Sequence, residues 1–258
     1  MDRQQLTEEL KKAIAGDELE LHLQPQINAH GLVIGAEALL RWKHPKFGMI
    51  PPGKFIPIAE KSGLIVDIGN WVIKEAARWM QEKTIASLKT ISINISLKQF
   101  EHPDFSKSVI DSLLQHQLKG NCLILELSEE IFRADVDSTI TKMQELAKLG
   151  INFSVADLGT GYASLAYLMQ LPVGHLKFNT SFVSNAKNDP NEAAIVDAII
   201  CMAKHLKLDL IIEGVEAKEQ FEFFKSKGGT SFQGYLFCRP LATRIFSKRL
   251  KEGIIAID

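Results

Sequence analysis

Seven polar side chains interrupt otherwise apolar runs along this chain: Glu37, Asn94, Glu126, Asp157, Lys177, Glu213 and Gln233. Each falls near the C-terminal end of a segment that reads as a β-strand. A carboxylate in such a setting is costly unless it is paired, hydrogen-bonded or bound to a metal. Glu37 is the first case, inside the nearly continuous hydrophobic stretch 33–42, with Arg41 four residues further on. Alone it reads as well as a solvated strand end or a structural Glu–Arg pair. Seven such positions on seven different strands argue for a shared site. Oxygen donors from Glu37, Asn94 and Glu126, joined by no histidine or cysteine, suit magnesium or manganese and not zinc. A lysine amid carboxylates could hold or activate a phosphate or a water, and Arg41 could fork onto a phosphate. The chemistry this suggests is metal-assisted cleavage of a phosphate ester. The bland alternative is a polar cluster that only ties loops together, because fold alone does not imply chemistry.

The elements that must position these groups alternate along the chain. Strands are predicted at 19–27, 33–42, 90–96, 122–128, 151–157, 175–178, 208–213 and 231–237, and helices at 6–14, 55–61, 64–80, 105–117, 139–149, 164–169, 191–205 and 218–226. The breakers Pro45, Gly48, Pro51 and Pro52 make 43–53 a loop. A strand as apolar as 33–42 needs both faces covered, which places it inside an α/β sheet or barrel. Eight strands alternating with helices predict a modified TIM (β/α)8-type barrel, whose strand C-termini converge on one face. The connection through His30-Gly31 is too short for a parallel crossover, so the first strand should be antiparallel to the second. The expected organisation is one domain over 1–258: a lead-in helix within 1–18, a barrel core at 19–241 and a C-terminal helix within 242–258.

Composition narrows the function classes. The chain has 258 residues, 46% hydrophobic and 24% charged, with a net charge of −1. That balance argues against a nucleic-acid polymer as partner but leaves small phosphorylated ligands open. Cys122, Cys201 and Cys238 form no Cys-x-x-Cys pair and suit a reducing cytoplasm. No apolar run reaches the ~18 residues of a membrane span, and the polar N-terminus is no signal peptide. His22 and His175 lie in or beside apolar strands and read as structural. Trp71 and Trp79 form a helix stripe with Val72, Ile73, Ala76 and Met80. Gly159-Thr160-Gly161 lacks the Gly-Lys-Ser/Thr continuation of a phosphate loop.

A longer ordered set of motifs stands around these positions: Gln24-Pro25, Glu37-Ala38-Leu39-Leu40-Arg41-Trp42, the segment PPGKFIPIAEKSGLI beginning at Pro51, and Asn94-Ile95-Ser96. It continues through Glu126-Leu127-Ser128-Glu129, Asp157-Leu158-Gly159-Thr160-Gly161-Tyr162, Lys177, Glu213-Gly214-Val215-Glu216 and Gln233-Gly234-Tyr235. Over about 19–241 the sequence resembles the EAL domain family, bacterial phosphodiesterases and receptors for cyclic di-GMP. The resemblance implies that Glu37, Asn94 and Glu126 bind a first metal, and Asp157 and Glu213 a second. It makes Lys177 the residue that orients the attacking water, with Glu37 at the catalytic centre and Glu129 steadying the glycine-rich loop. Gln24, Leu39, Arg41, Glu216 and Gln233 would contact the nucleotide. It further implies Mg2+ or Mn2+ as cofactor with Ca2+ inhibitory, a homodimer formed through the glycine-rich loop and the helix after it, and an upstream sensor or GGDEF-type domain in a longer protein.

One departure from the family pattern bears on activity. Active members end the strand before the glycine-rich loop in two aspartates, the first bridging both metals; here that position is Ala156. Asn179 replaces a second usual aspartate, two residues after the lysine, while Leu158 and Ala163 are substitutions that packing tolerates. Asn179 and the loop substitutions favour natural divergence over an engineered change. The expectation is a cyclic di-GMP binding domain in which cleavage is lost or very weak. An active phosphodiesterase yielding linear pGpG is the first alternative, and an interaction module that binds neither metal nor nucleotide the second.

Overall fold

The computed structural model describes residues 3–82, 88–133, 135–156, 168–183 and 186–253. The lead-in helix α1 (Arg3–Ala15) buries Leu6, Leu10 and Ala13 on one stripe. It is followed by β1 (Leu19–Asn28) and β2 (Val33–His44), joined by a tight turn. The Asn28 side-chain oxygen accepts from the N–H groups of His30 and Leu32, and Gly31 takes φ +80°. Only glycine adopts that left-handed geometry without steric cost, so the turn reverses the chain in place. The two strands therefore pair antiparallel, with Gln24 opposite Glu37.

The remaining barrel strands are β4 (Thr90–Ile95), β5 (Leu123–Ser128), β6 (Asn152–Ala156), β7 (His175–Asn179), β8 (Asp209–Glu213) and β9 (Ser231–Gln233). From β2 round to β9 every neighbour is parallel, and β1 closes the barrel antiparallel to both β9 and β2. This is the modified (β/α)8-type barrel expected from the alternation of elements, antiparallel first strand included. Two short strands stand outside it. β3 (Gly48–Ile50) pairs with the far end of β2, and β10 (Leu241–Ala242) pairs with β1.

Helices wrap the barrel: α2 (Pro52–Ser62), α3 (Ile65–Glu82), the short α4 (Leu97–Glu101), α5 (Phe105–Gln115), α6 (Val136–Ala147), α7 (Pro190–His205), α8 (Lys218–Ser226) and α9 (Thr243–Lys251). The α3 stripe buries Val72, Ile73, Ala76, Trp79 and Met80, as its periodicity predicts. Trp42 is fully buried between layers, its indole N–H donating to Glu18 at 3.0 Å and its ring edge-on to Phe55. Among the described residues no helix is long and apolar enough to cross a membrane.

Some expectations need correction. The breaker-rich loop over 43–53 contains β3, because β2 runs on to His44 and offers an edge. Glu37, expected near the C-terminal end of its strand, sits in the middle of β2. α4 is an unexpected helix, started by the Ser96 hydroxyl accepting from the Gln99 N–H. β9 stops at Gln233 rather than continuing to 237, because Gly234 lies directly against the backbone of Val215. The helix expected at 164–169 falls mostly outside the described residues.

Candidate functional site at the barrel mouth

Period-two alternation divides each parallel strand. On β4 Ser92 and Asn94 share one face while Ile91, Ile93 and Ile95 join the apolar core; on β5 Glu126 alternates with Leu125 and Leu127, and on β7 Lys177 with Leu176 and Phe178. The polar faces meet inside the barrel. Lys177 Nζ lies 2.9 Å from Glu37 Oε2 on β2, 2.9 Å from Glu126 Oε2 on β5 and 3.0 Å from Glu213 Oε2 on β8. Glu37, Glu126 and Lys177 are at most 5% exposed. Glu37 therefore takes Lys177 as its charge partner, not Arg41.

Three carboxylates around one ammonium leave an excess of negative charge in a region shielded from water. Burial opposes the charged form of Lys177, but Glu126, Glu37 and Glu213 hold its pKa well above the usual lysine range. Burial also works against ionised Glu37; Lys177 and hydrogen bonds from Gln233, Lys177 and Asn94 prevail and hold it low. Glu126 goes the other way. Burial, reinforced by the charges of Glu37 and Glu213 against the pull of Lys177, pushes its pKa up to about 7. Its second oxygen, Oε1, is buried and has no hydrogen-bond partner among the described residues.

A rail of amides fixes the cluster from the β1 side. Asn94 Nδ2 donates to Glu37 Oε1 at 2.6 Å, and Gln233 Nε2 donates to Glu37 Oε2 and, at 3.1 Å, to Gln24 Oε1. Gln24 Nε2 in turn donates to the Cys238 carbonyl at 3.1 Å. Gln26 Nε2 bridges Gln233 Oε1 and Ser92 Oγ at 3.2 and 3.3 Å. Gln26 is absent from the expected set, although its spacing of two from Gln24 in an alternating strand puts both on one face. Asn179 Nδ2 donates to Glu213 Oε1 at 3.1 Å and its Oδ1 accepts from the Ser181 N–H. An amide there satisfies Glu213 where an aspartate would repel it.

Two clefts open on either side of this centre and share Leu39. The first, about 340 Å³, runs past Gln24, Glu37, Glu213, Gln233, Glu216 and Tyr235. The second, about 330 Å³, is walled by Ile56, Ile68 and Val72 and carries Arg41, Asn94 and Glu126 at its polar end. Ala156 lines this second cleft as the last residue of β6, paired with Ser128. Arg41 is half-buried and donates to its neighbour's carbonyl, Leu40 O. Burial lowers its pKa against the opposing charges of Tyr235, Glu37 and Glu20. Glu129 is buried in the turn that follows β5. Asp157 and the glycine-rich loop lie outside the described residues. His22 pairs with Glu20 and His175 stands near Asp209, both away from the cluster.

The donor set suits a hard cation: carboxylate and amide oxygens, negative charge in excess, and an orphaned oxygen on Glu126. Among the described residues, however, no three acidic, imidazole or thiolate groups stand in metal-holding geometry. The Lys177 ammonium fills the centre of the three carboxylates, and Ala156 offers no donor atom.

Comparison with known proteins places this geometry in a family. The EAL domain model matches residues 7–240. The bifunctional diguanylate cyclase/cyclic di-GMP phosphodiesterase MucR of Pseudomonas aeruginosa is 42% identical over 240 residues, 92% of this chain and 35% of that protein. The cyclic di-GMP phosphodiesterase NbdA of the same organism is 37% identical over 240 residues, 92% of this chain and 31% of that protein. The chain thus spans about a third of the length of these relatives. A solved structure described as the PaMucR phosphodiesterase in complex with c-di-GMP superposes with a TM-score of 0.88 at 41% identity, covering 94% of this chain and 99% of that one. With its motifs in order, its barrel closed by an antiparallel first strand and its acidic cluster around a lysine, this chain belongs to the EAL domain family.

Proposed function

We propose that this chain binds cyclic di-GMP across the two clefts and cleaves it slowly or not at all. The observation that carries the second half is Ala156: a methyl group stands where active relatives are expected to place the carboxylate shared between two cations. Glu37, Asn94 and Glu126 would hold one Mg2+ or Mn2+ ion, and Glu213 with Asp157 the remnant of a second position. Such an ion supplies a low-pKa water and neutralises charge on the phosphodiester. The protein's own groups do the rest. Gln24, Gln233 and Leu39 border the ligand in the polar cleft, where the Glu216 carboxylate presents two acceptors to a base edge. Arg41 supplies a guanidinium fork for a phosphate in the neighbouring cleft. Lys177, charged throughout the physiological range, positions a water or phosphate oxygen beside Glu37. With two carboxylates missing, the site retains its grip on the nucleotide and loses hold of the cations.

The orphaned oxygen of Glu126 favours a second reading, an active phosphodiesterase in which the remaining ligands suffice for hydrolysis to pGpG. Calorimetric titration of cyclic di-GMP in magnesium, calcium or EDTA, with product analysis of the same samples, separates the two. Tight binding with intact nucleotide is the expected result; accumulation of pGpG overturns it. The Ala156→Asp variant should then gain cleavage at least tenfold. We infer further that the barrel with its flanking helices acts as one domain, as a homodimer and within a longer cytoplasmic protein carrying a sensor or GGDEF-type domain. Light scattering of the purified chain tests the dimer.

A further inference from the structure

We propose that the end of the barrel opposite the clefts is a docking face for an anionic lipid surface. The inference goes beyond the nucleotide reading and does not depend on it. The N-terminal ends of the parallel strands gather at this end, with the turn from β1 to β2 beside them. Three leucines stand out here: Leu32 in that turn is 64% exposed, Leu114 in the last turn of α5 70%, and Leu149 before β6 50%. Exposed leucines are ordinary when scattered; grouped on one end they mark a contact surface. Leu114 and Leu149 line one groove of about 510 Å³, together with Ile110, Leu113 and Leu118. A Cβ on Gly120 would fall 2.2 Å from the Leu149 carbonyl oxygen, so the two loops that form the groove meet backbone to backbone.

Lysines accompany the leucines. Lys119 and Lys148 line the same groove, and Lys89 is exposed just before β4, between the β1–β2 turn and β5. Lys148 also caps the C-terminus of α6, which the helix dipole alone explains; the leucines have no such explanation. The described loop residues of this arc, 29–32, 88–89, 116–121 and 148–150, include no aspartate or glutamate. Asp111 and Glu145 lie further back in α5 and α6, and Glu82 at the end of α3 is taken up by Arg78 at 2.9 Å. Positive charge beside protruding leucines complements a bilayer of anionic lipids: the ammonium groups meet the headgroups while the leucines reach the acyl boundary. A planar partner meets all three loops at once, whereas a bound peptide would fill only the groove between Leu114 and Leu149. Among the described residues no helix crosses a membrane, so the contact is peripheral, and it leaves the nucleotide clefts facing away from the lipid.

The test is co-sedimentation of the purified chain with vesicles of phosphatidylcholine alone and with added phosphatidylglycerol, at low and high salt. The expected result is retention on the phosphatidylglycerol vesicles that falls as salt rises, with little on phosphatidylcholine. Lys119→Gln with Lys148→Gln should weaken it about thirtyfold, about fivefold for each lysine. Leu114→Ser with Leu149→Ser should weaken it about tenfold through lost apolar burial. Both double variants should keep the parent's thermal unfolding and cyclic di-GMP affinity, since all four side chains are exposed at the far end from the clefts. A third variant, Lys248→Gln with Arg249→Gln, takes charge from the basic helix α9 and should have a smaller effect. Retention unchanged in the two groove variants, or lost as much in the α9 variant, overturns the docking face. No retention of the parent on phosphatidylglycerol vesicles also overturns it, and gives the same face to a protein partner.

Discussion

Lys177 and Glu126 set the electrostatics of the site from opposite sides. Removing the ammonium would leave the buried Glu37 and Glu126 and the part-buried Glu213 facing one another, and breaking a buried charge pair costs about 3–5 kcal/mol. Lys177→Met should therefore lower the unfolding midpoint markedly in EDTA, and millimolar magnesium should restore part of the loss by replacing one cation with another. A midpoint unaffected by magnesium would show that the carboxylates do not form a cation site. Glu126 makes a prediction in pH. Its pKa is about 7 in the folded chain against 4.5 when unperturbed, so between those values the folded state holds the extra proton. The stability this group contributes is complete below about pH 4.5 and is lost as pH rises through 7. Glu126→Gln cannot ionise. In metal-free buffer it should gain stability relative to the parent as pH rises from about 5 to 8. A difference that stays constant with pH would mean that burial does not govern Glu126.

At the scale of elements, the close approach of β9 to the Val215 segment sets the geometry of the polar cleft. A Cβ on Gly234 would fall 2.0 Å from the Val215 carbonyl oxygen and 2.5 Å from its nitrogen, and backbone cannot swing aside as a side chain can. Gly234→Ala should destabilise by about 1–3 kcal/mol, the usual cost of forcing extra volume into a packed site. It should also weaken nucleotide binding, because Gln233 and Tyr235 flank the displaced residue. Denaturant unfolding and calorimetry of one preparation check both halves. Full affinity despite lowered stability would separate the turn from the cleft. The Gly69 contact on α3 is with a side chain instead: its missing Cβ makes room for Gln99, which walls the second cleft.

On the scale of the whole molecule, barrel closure by β1 is what turns separate strand positions into a site. Gln24 reaches Glu37 because β1 runs antiparallel beside β2, and reaches Gln233 because the same strand closes on β9. A ligand bridging the two clefts would hold these elements together and bind only the folded chain. Cyclic di-GMP at a hundred times its dissociation constant should then stabilise the fold by about 2.7 kcal/mol. A thermal shift in calcium reads this out, and no shift at that concentration would mean that the ligand does not prefer the folded chain.

The sequence alone determined the polar interruptions, the eight barrel strands, the antiparallel start and the absent carboxylate at Ala156. These are local properties: alternation, turn chemistry at His30-Gly31 and residue identity at a motif position. The grouping of Lys177 with Glu37, Glu126 and Glu213 was decided only by tertiary structure. Lys177 stands 140 residues from Glu37 and 51 from Glu126 in the chain, so their contact exists only once the barrel closes. The same holds for Gln26 joining the amide rail, for Asn179 satisfying Glu213, and for the early stop of β9. Local patterning states which face a side chain occupies; which partners it meets there depends on strand register and on where backbones touch.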